Sequence, residues 1–172
     1  MKISNAILFQ LNWFACVIGG TFWGTITITM LVVAVVVAAM ISPCATRAAL
    51  RADFVVILIM GTVGWIIESV WIKFGLLDYG ITSVPIWIAL LWVGVGLTIN
   101  HSLSFLGSRP VMGAIFAGLA APASYLAGEH FGAVRVLMNF GLVPISLCWG
   151  LLFYLVFKYA YFDPKEIYES FD

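Results

Sequence analysis

The stretch Pro85 to Pro110, PIWIALLWVGVGLTINHSLSFLGSRP, decides the fold. It opens as an apolar run of the kind that crosses a bilayer, then carries Asn100, His101, Ser102 and Ser104 before the first loop signal at Gly107-Ser108-Arg109-Pro110. An amide and an imidazole in hydrocarbon are costly unless another helix supplies partners. The stretch therefore predicts a helix over about 85–106, opened by Pro85 at a tolerated first-turn position and packed at the centre of a bundle. Helical spacing puts Ala89, Val93, Gly96, Asn100, Ser104 and Gly107 on one seam. Gly94, Thr98, His101 and Phe105 form the neighbouring stripe, so two adjacent faces of this helix are small or polar.

The rest of the chain agrees with a membrane setting. Hydrophobic residues make up 63% and charged residues 9% of the 172 residues, against about 45–50% and about 25% in soluble domains. That length has room for about six spans of roughly 20 residues with short loops, in one domain. Formal net charge is zero, which gives no nucleic-acid signature. The three cysteines, Cys16, Cys44 and Cys148, have no close pair and read as small buried thiols. Gln10 and Asn12 interrupt the first apolar run and no signal-cleavage site follows, so the first helix is expected to be retained.

An all-α bundle of six transmembrane helices follows, over about 4–17, 22–41, 54–74, 85–106, 111–128 and 143–162. Gly19-Gly20 separates the first two helices by so short a turn that they must form an antiparallel hairpin. Asn5, Asn12 and Gly19 share a face of the first, and Thr21, Thr25 and Thr29 a face of the second. Pro43 to Asp53 reads as a polar loop. In the third helix Gly61, Gly64, Glu68, Trp71 and Gly75 make a seam of small residues with a carboxyl set into it, about 21 Å along a core of about 30 Å. Gly113, Ala117, Ala121, Ser124 and Gly128 repeat the small-residue device in the fifth, with a kink at Pro122. The loop from Glu129 to Gly141 holds His130, Arg135 and Asn139, and the tail from Asp163 to Asp172 is charged.

Lys2, Arg47, Arg51, Arg109, Lys158 and Lys165 fall on the side of the amino terminus, against Lys73 and Arg135 on the other. Under the positive-inside rule this places both termini in the cytoplasm. Trp65, Trp71, Trp87, Tyr79 and Tyr125 near the far ends, and Tyr159 and Tyr161 near the inner one, suit interfacial belts.

Two polar groups are candidate sites. Asn100 and His101, with Ser104 on the same helix, are expected at the depth of Gln10 and Asn12. Such a layer is either a pocket for a head group or a proton, since an imidazole changes charge near neutral pH, or an interhelical network that fastens the bundle at roughly 0.6–2 kcal/mol per bond. On the far side Glu68, Asp78, Glu129, His130 and Arg135 form the second group. Glu68 is the stronger candidate because it lies within a span; the alternative is a structural carboxyl, neutral or paired with Arg135. No H-E-x-x-H, histidine box, nucleophile elbow or phosphate loop occurs, so no metal or cofactor is expected. Ser102 and Ser104 beside His101 do not make a dyad, because adjacent helical residues point about 100° apart.

Asn100-His101-Ser102-Leu103 with Phe105-Leu106, then Gly118, Pro122, Tyr125-Leu126-Ala127-Gly128 and Gly132-Ala133-Val134, resembles a bacterial membrane-protein family catalogued as domain of unknown function 2878. Phe9-Gln10-x-x-Trp13-Phe14-Ala15-Cys16 and Glu68 are similar as well. Ala121 and Phe105 depart mildly from the pattern, where a small residue such as glycine and a tryptophan are expected. The resemblance implies a small multi-pass inner-membrane protein and no catalytic assignment. Members of that family are often encoded near enzymes resembling cyclopropane fatty-acid synthases, so the resemblance implies a lipid-modifying partner. The expected role is an accessory protein that binds or presents a membrane lipid or other hydrophobic small molecule. The alternatives are a membrane-embedded enzyme using His101 or Glu68 as acid-base, or a small homo-oligomeric transporter.

Overall fold

The computed structural model describes residues 2–41 and 47–162, without the side chains of Arg47, Ala48 and Asn139. Cys44, Lys165, the stop at Ser42-Pro43 and the charged tail from Asp163 lie outside the described residues. The described chain is mostly helical, with turns and one short strand pairing between the helices. Its order is α1 (Lys2–Ile41), α2 (Arg47–Lys73), β1 (Leu77–Asp78), α3 (Ile86–Ile99), α4 (Pro110–His130), β2 (Arg135–Val136) and α5 (Leu142–Tyr159). Four of these helices, α1, α2, α4 and α5, are long and apolar enough to cross a membrane; α3 is apolar but shorter.

The first two expected helices form one element, α1, with a break at Gly20 (φ 63°, ψ −151°). Only glycine adopts that conformation without strain, and here it folds the chain back on itself. A Cβ on Gly24 would lie 2.6 Å from the Cys16 sulfur. Further down the hairpin the Thr27 hydroxyl donates to Asn12 Oδ1 at 3.0 Å. Thr25 and Thr29 are exposed and donate to their own helix carbonyls four residues back, which suits a face with no water to bond.

Helix α3 is the axis of the fold. Its Gly94 faces the first arm of α1, where a Cβ would lie 2.8 Å from Asn12 Nδ2, and its Gly96 faces α2, where a Cβ would lie 2.9 Å from the Ile57 Cα. The seam of α2 receives α3 in turn, since a Cβ on Gly64 would lie 2.0 Å from the Trp92 ring. Val56 and Met60 of α2, Ile88, Trp92 and Ile99 of α3, and Leu152, Phe153 and Phe157 of α5 make one continuous core. Helices α4 and α5 pair closely through glycines: a Cβ on Gly113 would lie 2.4 Å from Phe157, and one on Gly150 3.2 Å from the Ala114 carbonyl.

Several boundaries differ from those expected. The helix expected over 85–106 ends at Ile99, and a turn with a 3-10 segment at Ser104–Leu106 follows. The reason is local and tertiary together. The Thr98 hydroxyl donates to the Val95 carbonyl at 2.6 Å, while the Thr98 carbonyl accepts both His101 and Leu103 N–H groups at 3.1 and 2.8 Å. Asn100 and His101 meanwhile bond to Asp53. Asp53 does not lie in a loop: α2 starts at Arg47, so the expected polar segment supplies the first turns of the helix. The two far-side loops are joined by the antiparallel pairing Leu77↔Val136 and Asp78↔Arg135. Helices α4 and α5 extend within three residues of their expected ends.

Candidate functional site

The polar residues fall into two sites, joined to different helices than the sequence suggests. On the side of the amino terminus the anchor is Asp53, a buried residue of α2. Its Oδ1 accepts Asn100 Nδ2 at 2.9 Å and its Oδ2 lies 3.0 Å from His101 Nε2. Asn100 Oδ1 accepts the Phe162 N–H at 3.2 Å. Asn5, on the first arm of α1, donates to the Leu97 carbonyl at 3.2 Å and accepts the Ser102 N–H at 3.3 Å. These bonds cross-link α1, α2 and the end of α3 at the point where α3 stops. His101 also borders a cavity of about 170 Å³ with Ser4, Asn5 and Leu8.

Gln10 and Asn12 do not join this cluster. Gln10 is exposed. Asn12 is fully buried but bonds within the α1 hairpin, to Thr27 and, at 3.9 Å, to the Cys16 thiol. Ser104 is half-buried, its hydroxyl has no hydrogen-bond partner, and its carbonyl accepts the Tyr161 hydroxyl at 3.3 Å. Asn5 and Asp53 are the members that sequence reasoning missed. The spacing of Asn5 and Asn12 carries a signal for the first; Asp53 carries none, because one acidic residue at the edge of an apolar run looks like a loop.

The far-side group also separates. Arg135 pairs with Asp78 and not with Glu68. The Gly80 N–H at 2.7 Å, and then Arg135, hold the Asp78 carboxyl below its ordinary range. Glu129 accepts the Val136 N–H at 2.8 Å, and His130 is exposed beside Phe131. Among the described residues no three His, Cys, Asp or Glu side chains gather as a metal set.

Glu68 stands apart, 1% exposed. Its Oε2 accepts the Tyr79 hydroxyl at 2.8 Å, and its Oε1 accepts the Trp92 indole N–H at 3.3 Å and the Tyr125 hydroxyl. One donor comes from the loop after α2, one from α3 and one from α4, so the carboxyl ties three segments together. Tyr79, Trp92 and Tyr125 look like interfacial or packing aromatics in the sequence, and only the tertiary arrangement turns their polar atoms onto Glu68. Beside the carboxyl is a cavity of about 70 Å³, walled by Trp13, Trp87, Trp92 and Trp149 among others. Trp92 and Trp149 stack there with centroids 4.3 Å apart.

A larger space adjoins it. Between the first arm of α1 and α4 runs a groove of about 520 Å³, lined by Phe9, Phe14, Phe116, Ala120, Phe131 and their neighbours. The polar side chains along it are Gln10, Thr98, Ser124 and the indoles of Trp13 and Trp149. Thr98 is bonded to its own helix, and Trp13 Nε1 donates to Ser124 Oγ at 2.9 Å. Trp13, Val95, Ser124 and Trp149 line both the groove and the cavity at Glu68.

A family model described as a protein of unknown function (DUF2878) matches residues 2–155. No curated protein matches the chain. No solved structure matches it either.

Proposed function

The chain belongs to the DUF2878 family, whose description carries no activity, and from the geometry we propose that it is an accessory protein of the bacterial inner membrane that binds a lipid or other hydrophobic small molecule. The observation that carries this reading is the groove between α1 and α4. Its volume falls in the range of small-molecule sites, about 300–1,000 Å³, and its walls are almost wholly apolar. A soluble polar substrate finds few bonds there. An acyl chain or similar tail matches it, and the exposed apolar faces of Phe14, Phe116 and Phe131 leave the groove open to the side from which a lipid would arrive.

Six crossings with both termini cytoplasmic complete the reading. The fold-back at Gly20 supports counting α1 as two spans. Helix α3, 14 residues and about 21 Å long, is short for a bilayer core of about 30 Å. The buried turn at Leu106 and Gly107 continues its path against protein, where irregular backbone is tolerated in a membrane. Presentation of the bound molecule to a lipid-modifying partner enzyme, or use of the groove by a homo-oligomer, extends the same proposal.

Filling the groove tests it. Ala120→Trp places an indole in the space without touching Glu68 or Asp53. We expect lipid co-purified with the full chain, identified by mass spectrometry, to fall at least severalfold while the melting temperature in detergent stays within a few degrees. Undiminished lipid in a folded variant would refute the reading. A second reading, acid-base chemistry at His101, is favoured by one observation: the imidazole bonds a buried carboxylate and borders a cavity of about 170 Å³.

A further inference from the structure

Glu68 is a buried carboxyl with no counter-ion among the described residues. Among the described residues no Lys, Arg or His nitrogen comes within 4.0 Å of it. The two cations at this end of the helices are placed elsewhere: Arg135 pairs with Asp78, and Lys73 is exposed at the end of α2. Burying an ionised carboxylate is costly unless it is paired and hydrogen-bonded. Three donors reach it, from Tyr79, Trp92 and Tyr125, and all three are neutral. A carboxylate offers about four acceptor positions. Three are occupied, and the carboxyl borders a cavity.

The walls of that cavity have the matching chemistry. Trp87, Tyr79, Tyr125 and the stacked pair Trp92 and Trp149 line it, with Trp13 at the side shared with the groove. Aromatic faces attract cations, and cages of such rings recognise methylated ammonium groups. The volume, about 70 Å³, exceeds several times the roughly 10–15 Å³ that one water requires on the same measure, and it suits one compact head group. Glu68 is the one acidic group in its lining, and in the ionised form it has the sign an ammonium needs. A phosphate or carboxylate ligand would meet Glu68 as a like charge, and no basic side chain lines this cavity to offset it.

We propose that the Glu68 cage holds the cationic head, a primary or methylated ammonium, of an amphiphile whose apolar tail occupies the α1–α4 groove. The proposal rests on the groove reading above and names the chemical class of its ligand. Trp13, Val95, Ser124 and Trp149 line both spaces, so the two are neighbours, and one molecule spanning them would pass between these side chains.

The test is native mass spectrometry of the full chain in dodecyl maltoside micelles, titrated separately with hexadecyltrimethylammonium, hexadecanol and tetramethylammonium. The wild type is expected to retain the long-chain cation about tenfold more than hexadecanol and to retain tetramethylammonium weakly. Glu68→Gln should bring the two long-chain ligands level by loss of the cation, with hexadecanol unchanged. Trp87→Leu removes a wall of the cage and none of the three donors to Glu68, though its ring packs edge-on against Tyr79, and should lower the preference severalfold; it decides the question if the Glu68 variant does not fold. A preference for the cation that survives both substitutions, or a wild type with no preference, overturns the head-group assignment while leaving the groove intact. Tetramethylammonium retained as well as the long-chain cation overturns the amphiphile and leaves a site for a free ammonium. Failure of the wild type to retain either long-chain ligand overturns the groove reading and this one with it.

Discussion

At the scale of single residues, the decisive contacts are those that bring a polar atom to an apolar place. Asp53 has a partner on each oxygen, Asn100 on one and His101 on the other, and both partners lie where α3 ends. The cluster closes three segments at once, so its first consequence is structural. Removing one partner of a buried hydrogen bond leaves the other unsatisfied, at about 1–3 kcal/mol. We expect Asp53→Ala and His101→Ala each to lower the melting temperature of the purified protein by several degrees. The opposite pattern would establish the acid-base reading: unchanged melting, with loss of a lipid difference that the wild-type chain restores to a deletion strain. Gly64 shows the converse dependence, on the absence of a side chain. A Cβ there would overlap the Trp92 ring that donates to Glu68, so the seam of small residues in α2 also positions a partner of its buried carboxyl.

At the scale of elements, α1 depends on one backbone conformation. Gly20 has no atom within 4 Å of where a Cβ would be, so any penalty for alanine comes from φ 63° and ψ −151° alone. That region costs a side-chain-bearing residue of order 1–3 kcal/mol. Relaxation to helical angles would straighten α1 and separate Cys16 from Gly24. Spin labels at Ser4 and Ala38, which border the same cavity near the open end of the hairpin, report on this directly. Gly20→Ala should lengthen or broaden their distance distribution; an unchanged narrow distribution would show that packing against α3 alone sets the hairpin. The far-side pairing of β1 with β2 is a second small device, tying the loop that carries Tyr79 to the loop after α4.

At the scale of the whole molecule, the distribution of charge sets the expected topology. Lys2, Arg51, Arg109 and Lys158 are at one end of the helices and Lys73 and Arg135 at the other, with the two candidate sites correspondingly separated. On that expected topology the Asp53 cluster would lie near the cytoplasmic face and the proposed Glu68 cage near the outer one. Single cysteines in a cysteine-free background check the orientation through two exposed positions, Ser83 and Ser108. A membrane-impermeant maleimide should label Ser83→Cys in intact cells and Ser108→Cys only after permeabilisation; the reverse pattern would invert the topology. An inverted protein would still have its groove, but the head-group site would face the cytoplasm.

Composition and periodicity determined much of this protein by themselves. Apolar runs of spanning length give helices because a backbone in hydrocarbon must bond within its own segment. Seams of mostly small residues at steps of three and four mark the packing faces of α2, α3 and α4 because close approach needs small residues. Glu68 could be singled out as a carboxyl within a span, and the N-H-S-L block carried the family resemblance that the match over residues 2–155 establishes. Tertiary structure alone decided the partners. A hydrogen bond such as that between Tyr125 and Glu68 joins residues 57 apart, and the one between Asn100 and Asp53 joins residues 47 apart; neither separation is a period of any element. The same holds for the end of α3, where Asp53 and Thr98 draw the polar residues out of the helix, and for the groove, which exists because α1 and α4 each pack elsewhere and leave the space between them open.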